Sequence, residues 1–221
     1  MFFINNYKNT YCPNGCKLFF DNSNYVYWEN KNVTSDEIEI VEYLNTLDSN
    51  KIFKILHIGI GNSYLANNLN INSYIDGISI SNNEISYAKK LNIKNYNYIF
   101  LNKLSNDAFN NFNTDYYDFI IDVNLKSFSC CDTAFNKMFS NYSKLLKKGG
   151  KILTAKNGLN WSRLLKPVYR FSFKRLFYKR LKEYDGPKRN ILSIQDCKEI
   201  ARNNNLRFFE INNSDMVYFE F

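Results

Sequence analysis

Two glycines two residues apart close an apolar run in Ile55-Leu56-His57-Ile58-Gly59-Ile60-Gly61-Asn62-Ser63. Glycine lets a backbone approach a ligand closely, and a helix starting just after it turns free N–H groups toward that ligand. The chemistry this suggests is capture of a nucleotide at a strand-to-helix turn. A second polar constellation is Asp122-Val123-Asn124-Leu125-Lys126, directly after another apolar run. It offers a carboxylate and an ammonium for proton handling or for orienting a substrate. His57, the only histidine, stands two residues before the first glycine.

Other reactive side chains are less promising. The five cysteines are an odd number, with Cys130 and Cys131 adjacent, a pattern suited to a reducing compartment rather than a disulfide framework. Cys12 and Cys16 are the one close pair with a spacer, and no histidine cluster follows them, so no metal site is expected. The net charge of +8 is concentrated: residues 162–190 hold ten basic and two acidic residues, a surplus equal to that of the whole chain. Arg170, Lys174, Lys179 and Lys182 surround an apolar stripe of Tyr169, Phe173, Leu176, Phe177 and Leu181, which predicts a basic amphipathic helix. Such a helix could cover an anionic small molecule, lie on an anionic membrane or grip nucleic acid.

The elements that must position these groups follow from periodicity. Thr34-x-x-Glu37 has the form of a capping box, and Ile38, Val41, Leu44 and Leu47 recur at helical spacing. Strands are expected at 52–58, 74–80, 98–101, 117–122 and 151–155, alternating with helices that start near Tyr64, after Ser81-x-x-Glu84, and at 133–146. Lys147-Lys148-Gly149-Gly150 reads as the stop of the last of these helices. A helix at 193–203 and strands at 206–211 and 216–221, joined by Asn212-Asn213-Ser214-Asp215, complete the pattern. At 221 residues and 45% hydrophobic content this describes one α/β domain at 34–221, preceded by a cap at 1–33 that contains a turn or short strand near Tyr25–Trp28. No apolar run is long enough to span a bilayer and the N-terminus lacks the pattern of a signal peptide, so a cytoplasmic location is expected.

The order of elements, with four motifs, resembles the class I S-adenosylmethionine-dependent methyltransferases. The motifs are Leu56–Ser63, Asp76-Gly77-Ile78-Ser79-Ile80-Ser81, Tyr117–Asp122 and Leu145–Leu153. The resemblance implies a Rossmann-like, doubly wound, mostly parallel seven-stranded sheet with a C-terminal antiparallel hairpin, and residues 162–190 as a basic lid insertion. It implies S-adenosyl-L-methionine as cofactor, held by His57, Gly59, Gly61, Asn62, Ser63, Ser79, Ile80, Asn102, Lys103, Asp122 and Asn124. Asp122 and Lys126 are the candidate catalytic residues. His57 stands where the family usually has an acid, and Ser63 replaces its third glycine. Ser79 replaces the acid that accepts bonds from the ribose hydroxyls, and Asn102-Lys103 falls where an Asp commonly meets the adenine amine. Two other readings fit the same sequence. One is an aminopropyltransferase-like enzyme; the other is a non-catalytic protein docking nucleic acid or anionic membrane through 162–190.

Overall fold

The computed structural model describes residues 20–21, 32–105, 107–129, 131–159 and 192–221, together with the backbone of 162–163 and 167–168. The calls on Cys12 and Cys16, Tyr25–Trp28, Cys130 and nearly all of the basic segment 162–190 lie outside the described residues.

The short apolar segments that the sequence marks as strands form one seven-stranded sheet. Its strands in chain order are β1 (Phe53–Ile58), β2 (Ser73–Ser79), β3 (Tyr96–Phe100), β4 (Tyr117–Ile121) and β5 (Leu146–Ala155), followed much later by β8 (Arg207–Glu210) and β9 (Met216–Glu220). A two-residue antiparallel pair, β6 (Ser162–Arg163) and β7 (Pro167–Val168), forms separately. The spatial order in the large sheet is β3-β2-β1-β4-β5-β9-β8. The first five strands run parallel, and β9 pairs antiparallel with both β5 and β8. The strand order reverses between β1 and β4, which makes that gap the switch point where open α/β sheets bind ligands.

Parallel strands need crossovers, and these place helices on both faces. One face buries Ile55, Ile75, Phe119, Ile121 and Leu153 under α1 (Ser35–Asn45), α2 (Tyr64–Asn68) and α3 (Asn82–Lys90). The other buries Leu56, Ile58, Ile78, Ile120 and Ile152 under α4 (Asp132–Leu145) and α6 (Ile194–Asn203). A single turn, α5 (Lys156–Leu159), leaves β5. Alternate residues of each strand feed the two cores, as the period of two requires.

Two expectations are corrected. The Thr34–Glu37 capping box does not form, since the Thr34 side chain makes no cap hydrogen bond. The Glu37 carboxyl is instead largely buried, near enough to the Leu65 N–H of α2 to feel it. β5 begins at Leu146, not Lys151, so Lys147–Gly150 is strand rather than helix stop. Tertiary pairing overrides the stop signal: Gly149 N–H donates to the Phe221 carbonyl, and Phe221 N–H donates to Gly150. Gly149 takes φ +78°, which only glycine adopts without strain, at the irregularity in the β4–β5 pairing.

Candidate functional site

The glycine loop leaves β1 at the switch point. Gly59 has φ +78°, and nothing lies within 4 Å of where its Cβ would stand, so its backbone faces open space. Gly61 and Ser63 are also left-handed, at φ +52° and +62°. Asn62 Oδ1 accepts from the Tyr64 N–H, and Ser63 is fully buried at the start of α2. Beside the loop, the buried atoms His57 Nδ1 and Ser63 Oγ have no hydrogen-bond partner among the described residues, nor does the Tyr96 hydroxyl. Tyr96 lies across Gly77, where a Cβ would come within 2.4 Å of its ring and 2.8 Å of Ile60. Burial holds the His57 imidazole down to about 4, so it is neutral in the fold.

At the end of β2, Ser79 is buried and its hydroxyl donates to Glu84 Oε2 at 2.6 Å. Ser79 Oγ accepts in turn from the Ser81 N–H, and Ser81 caps α3 by accepting from the Glu84 N–H. Burial raises the Glu84 carboxyl, which the Ser79 bond pulls back and the Asp21 charge raises further. Asp21 reaches this edge by donating its N–H to the Ile80 carbonyl at 3.0 Å, as an isolated parallel bridge beside Ser81. Next to it, the rings of Phe20 and Phe100 stand 5.2 Å apart.

The groups after β3 and β4 are brought together, but they bind one another. Lys103 is buried, and its ammonium donates to Asp122 Oδ2 at 2.7 Å and to the carbonyls of Asn124 and Leu125 at 3.1 and 3.0 Å. With Ser127 Oγ at 3.4 Å, four acceptors share its three donors. Asp122 also accepts from the Tyr142 hydroxyl of α4 at 2.9 Å. Burial raises the Asp122 carboxyl and lowers the Lys103 ammonium, and each draws the other back. Lys126 pairs with Asp132 in the first turn of α4. Asn102 Oδ1 accepts from the Leu104 N–H. Asp122 and Lys126 are therefore each ion-paired in the β4–α4 loop, and the buried Lys103 ammonium is one of those partners.

Sequence reasoning missed Glu37, Glu84 and Gly158. Glu84 was legible only as a capping residue, since its approach to Ser79 depends on where α3 starts. A Cβ on Gly158 would sit 1.7 Å from the Val123 carbonyl oxygen, so α5 lies directly against the loop after β4. Thr154 reinforces that contact by donating to the same carbonyl at 3.1 Å.

No protein-family model matches the chain, and no curated protein matches it in sequence. Solved structures do match. The CurJ carbon methyltransferase superposes with a TM-score of 0.55 at 16% identity, over 84% of this chain and 53% of that one. A SAM-dependent methyltransferase from Aquifex aeolicus gives 0.51 at 13% identity, over 84% and 88% of the two chains.

The chain has the class I methyltransferase fold.

It spans about half the length of the CurJ chain it matches. The [4+2]-cyclase SpnF also superposes, with a TM-score of 0.51 at 16% identity over 83% of this chain and 63% of that one. The fold alone therefore does not fix a reaction, which depends on the residues grafted on it. Among the described residues no helix is long and apolar enough to cross a membrane, and no three His, Cys, Asp or Glu side chains gather as metal ligands.

Proposed function

We propose that this protein binds S-adenosylmethionine in the crevice between β1 and β4 and transfers its methyl group to an acceptor that carries negative charge. The observation that carries this reading is the open glycine loop at the switch point. The residues present fit the cofactor. Gly59 offers an unobstructed backbone, and His57 Nδ1 and Ser63 Oγ are buried polar atoms that the described fold leaves unpaired, as expected where a polar ligand completes a site. Gly59, Gly61, Asn62 and Ser63 would hold its amino-acid portion, with Ile80 and Phe100 flanking its base.

When bound, the cofactor supplies a methyl group already activated on a sulfonium. What the chain contributes is alignment and exclusion of water. The Lys103–Asp122–Tyr142 cluster fixes the floor of the β4–α4 loop, and Gly158 sets how closely α5 packs on it. With Asp122 and Lys126 both paired, the reading does not require a dedicated base from this loop, which suits an acceptor that is nucleophilic without help. The expected charge of the acceptor rests on the ten basic residues of 162–190, placed after β5.

Calorimetric titration with S-adenosylhomocysteine tests the reading. Saturable binding that is lost in a folded Gly61→Arg variant supports it. Absence of binding by either S-adenosylmethionine or S-adenosylhomocysteine overturns it. The pairing of both candidate catalytic groups favours a second reading, in which the fold is kept for docking nucleic acid or anionic membrane through 162–190. Steeply salt-dependent binding to either, without cofactor binding, would select that reading.

A further inference from the structure

A cavity of about 370 Å³ opens at the amino ends of β2 and β3, at the end of the strands opposite the glycine loop. Its lining brings together the half-buried Asp76 carboxylate, the amides of Asn95 and Asn97, and the side chains of Tyr74 and Tyr116. Asp76 and Asn97 are partners on the β2–β3 ladder, and Asn97 Nδ2 donates to Asp76 Oδ1 at 2.9 Å. The Tyr117 hydroxyl donates to Oδ2 at 2.6 Å. Burial first, and then the bond and charge of Asp76, hold the Tyr117 phenol well above its ordinary value, so it stays a donor and aims the carboxylate. Both partners are neutral, and among the described residues no Lys or Arg forms an ion pair with Asp76. A carboxylate held by neutral donors, without a countercharge, on the wall of a cavity is one that a ligand cation completes. The rings supply the second half of such a site. Lys54 Nζ lies 3.6 Å from the Tyr74 ring centroid and 5.6 Å from that of Tyr116, so this aromatic pair already attracts an ammonium, and Tyr74 remains 46% exposed. The remaining lone pairs of Asp76 and the Asn97 carbonyl oxygen call for a ligand that donates, and an ammonium offers up to three donors.

We propose that this cavity is an accessory site for a small organic ammonium, with Asp76 as its counter-ion, Tyr116 and Tyr74 as its aromatic wall and Tyr117 as the positioning residue that holds the carboxylate. The site stands at the opposite end of the parallel strands from the β1–β4 crevice, so it neither uses nor depends on a ligand bound there. Lys54 is the rival group, because a site built around its ammonium would take an anion instead.

The test is titration of the full chain with n-butylammonium, n-butanol, butyrate and Nα-acetyl-lysine amide, followed by backbone amide NMR shifts. Saturable binding of n-butylammonium is expected, with shifts centred on Tyr74–Asp76 and Asn95–Asn97 and no binding of n-butanol or butyrate. Asp76→Asn, which keeps the shape of the side chain and removes its charge, should weaken n-butylammonium about tenfold or more. Tyr116→Leu should weaken it about 2- to 5-fold, and as a change on the rim it serves where Asp76→Asn does not fold. Absence of n-butylammonium binding, or shifts centred elsewhere, overturns the proposal. So does equal binding of n-butanol, or butyrate binding that is lost in Lys54→Met, which would make this an anion site. Tighter binding of Nα-acetyl-lysine amide than of n-butylammonium would assign the cavity to a lysyl side chain and overturn the assignment to a free amine. S-adenosylhomocysteine should leave n-butylammonium binding unchanged, and competition between the two would place the amine in the crevice and overturn the proposal. Failure of any of these expectations leaves the proposed function standing, because that reading is decided by S-adenosylhomocysteine binding alone.

Discussion

Replacing Lys103 with methionine removes the ammonium while keeping most of the side chain's length and apolar volume, so cavity formation contributes little. What remains is the Asp122 carboxylate, buried with only the Tyr142 hydroxyl as a charge-stabilising partner, and two loop carbonyls without donors. Breaking a buried pair by deleting one partner costs about 3–5 kcal/mol, because the surviving charge is uncompensated. For a domain of this size each kcal/mol lowers Tm by about 2–4 °C, so the variant should melt about 6–20 °C below the parent. Thermal denaturation followed by circular dichroism, with urea unfolding as a second measure, gives the number. Adding Asp122→Asn to Lys103→Met removes the stranded charge and still leaves Tyr142 an acceptor. The double variant should therefore recover about 2 kcal/mol relative to the sum of the singles. A Tm within about 2 °C of the parent for Lys103→Met would refute the view that this cation holds the β4–α4 loop.

Gly158→Ala should destabilise the protein by about 2 kcal/mol or more in urea titrations, against the usual stabilising effect of alanine in a helix, because its Cβ would meet the Val123 carbonyl oxygen at 1.7 Å. Glu37 gives a pH signature. Burial and the neighbouring Asp36 push its carboxyl up from 4.5 to about 7, against the Leu65 N–H bond. Over that window the native state holds a proton that the unfolded chain has lost, so stability falls as pH rises from about 4.5 to 7 and is level above it. Compared with Glu37→Gln, the parent should lose about 3 kcal/mol across this range in denaturant titrations at stepped pH. A constant difference between the two proteins would show that Glu37 ionises as it does in water. His57, held down to about 4, acts in the opposite direction between 4 and 6.5, and for that reason the comparison with the variant is needed.

The local signals that survived folding are those whose energy is local. Ser193 forms the full capping box with Asp196, and Ser81 caps α3, because an extended residue before a helix needs only its own next turn as partner. Thr34 had the same pattern and did not form it: its side chain makes no cap bond, and the Glu37 carboxyl is buried, feeling the Leu65 N–H of α2, 28 residues away in sequence. The strand pattern gave β1, β2 and β4 to within a residue or two, since continuous apolar runs such as Phe119-Ile120-Ile121 fit only a strand covered on both faces.

The candidate site divides along the same line. Gly59 and Gly61 could be read directly, because a turn with positive φ selects glycine by sterics alone. Asp122, Lys103 and Lys126 could be read only as residue types near strand ends. The Lys103–Asp122 pair depends on a side chain from the loop after β3 crossing to the loop after β4, between strands that are not neighbours in the sheet. The Ser79–Glu84 hydrogen bond could not be read either, since sequence spacing says nothing of the helix turn that brings the Glu84 carboxylate to the end of β2. Sequence therefore determined the elements, their order and the open glycine loop after β1, through short-range sterics and periodicity. Tertiary structure alone decided which charges satisfy each other, because burying a charge is tolerated only where the fold supplies its partner.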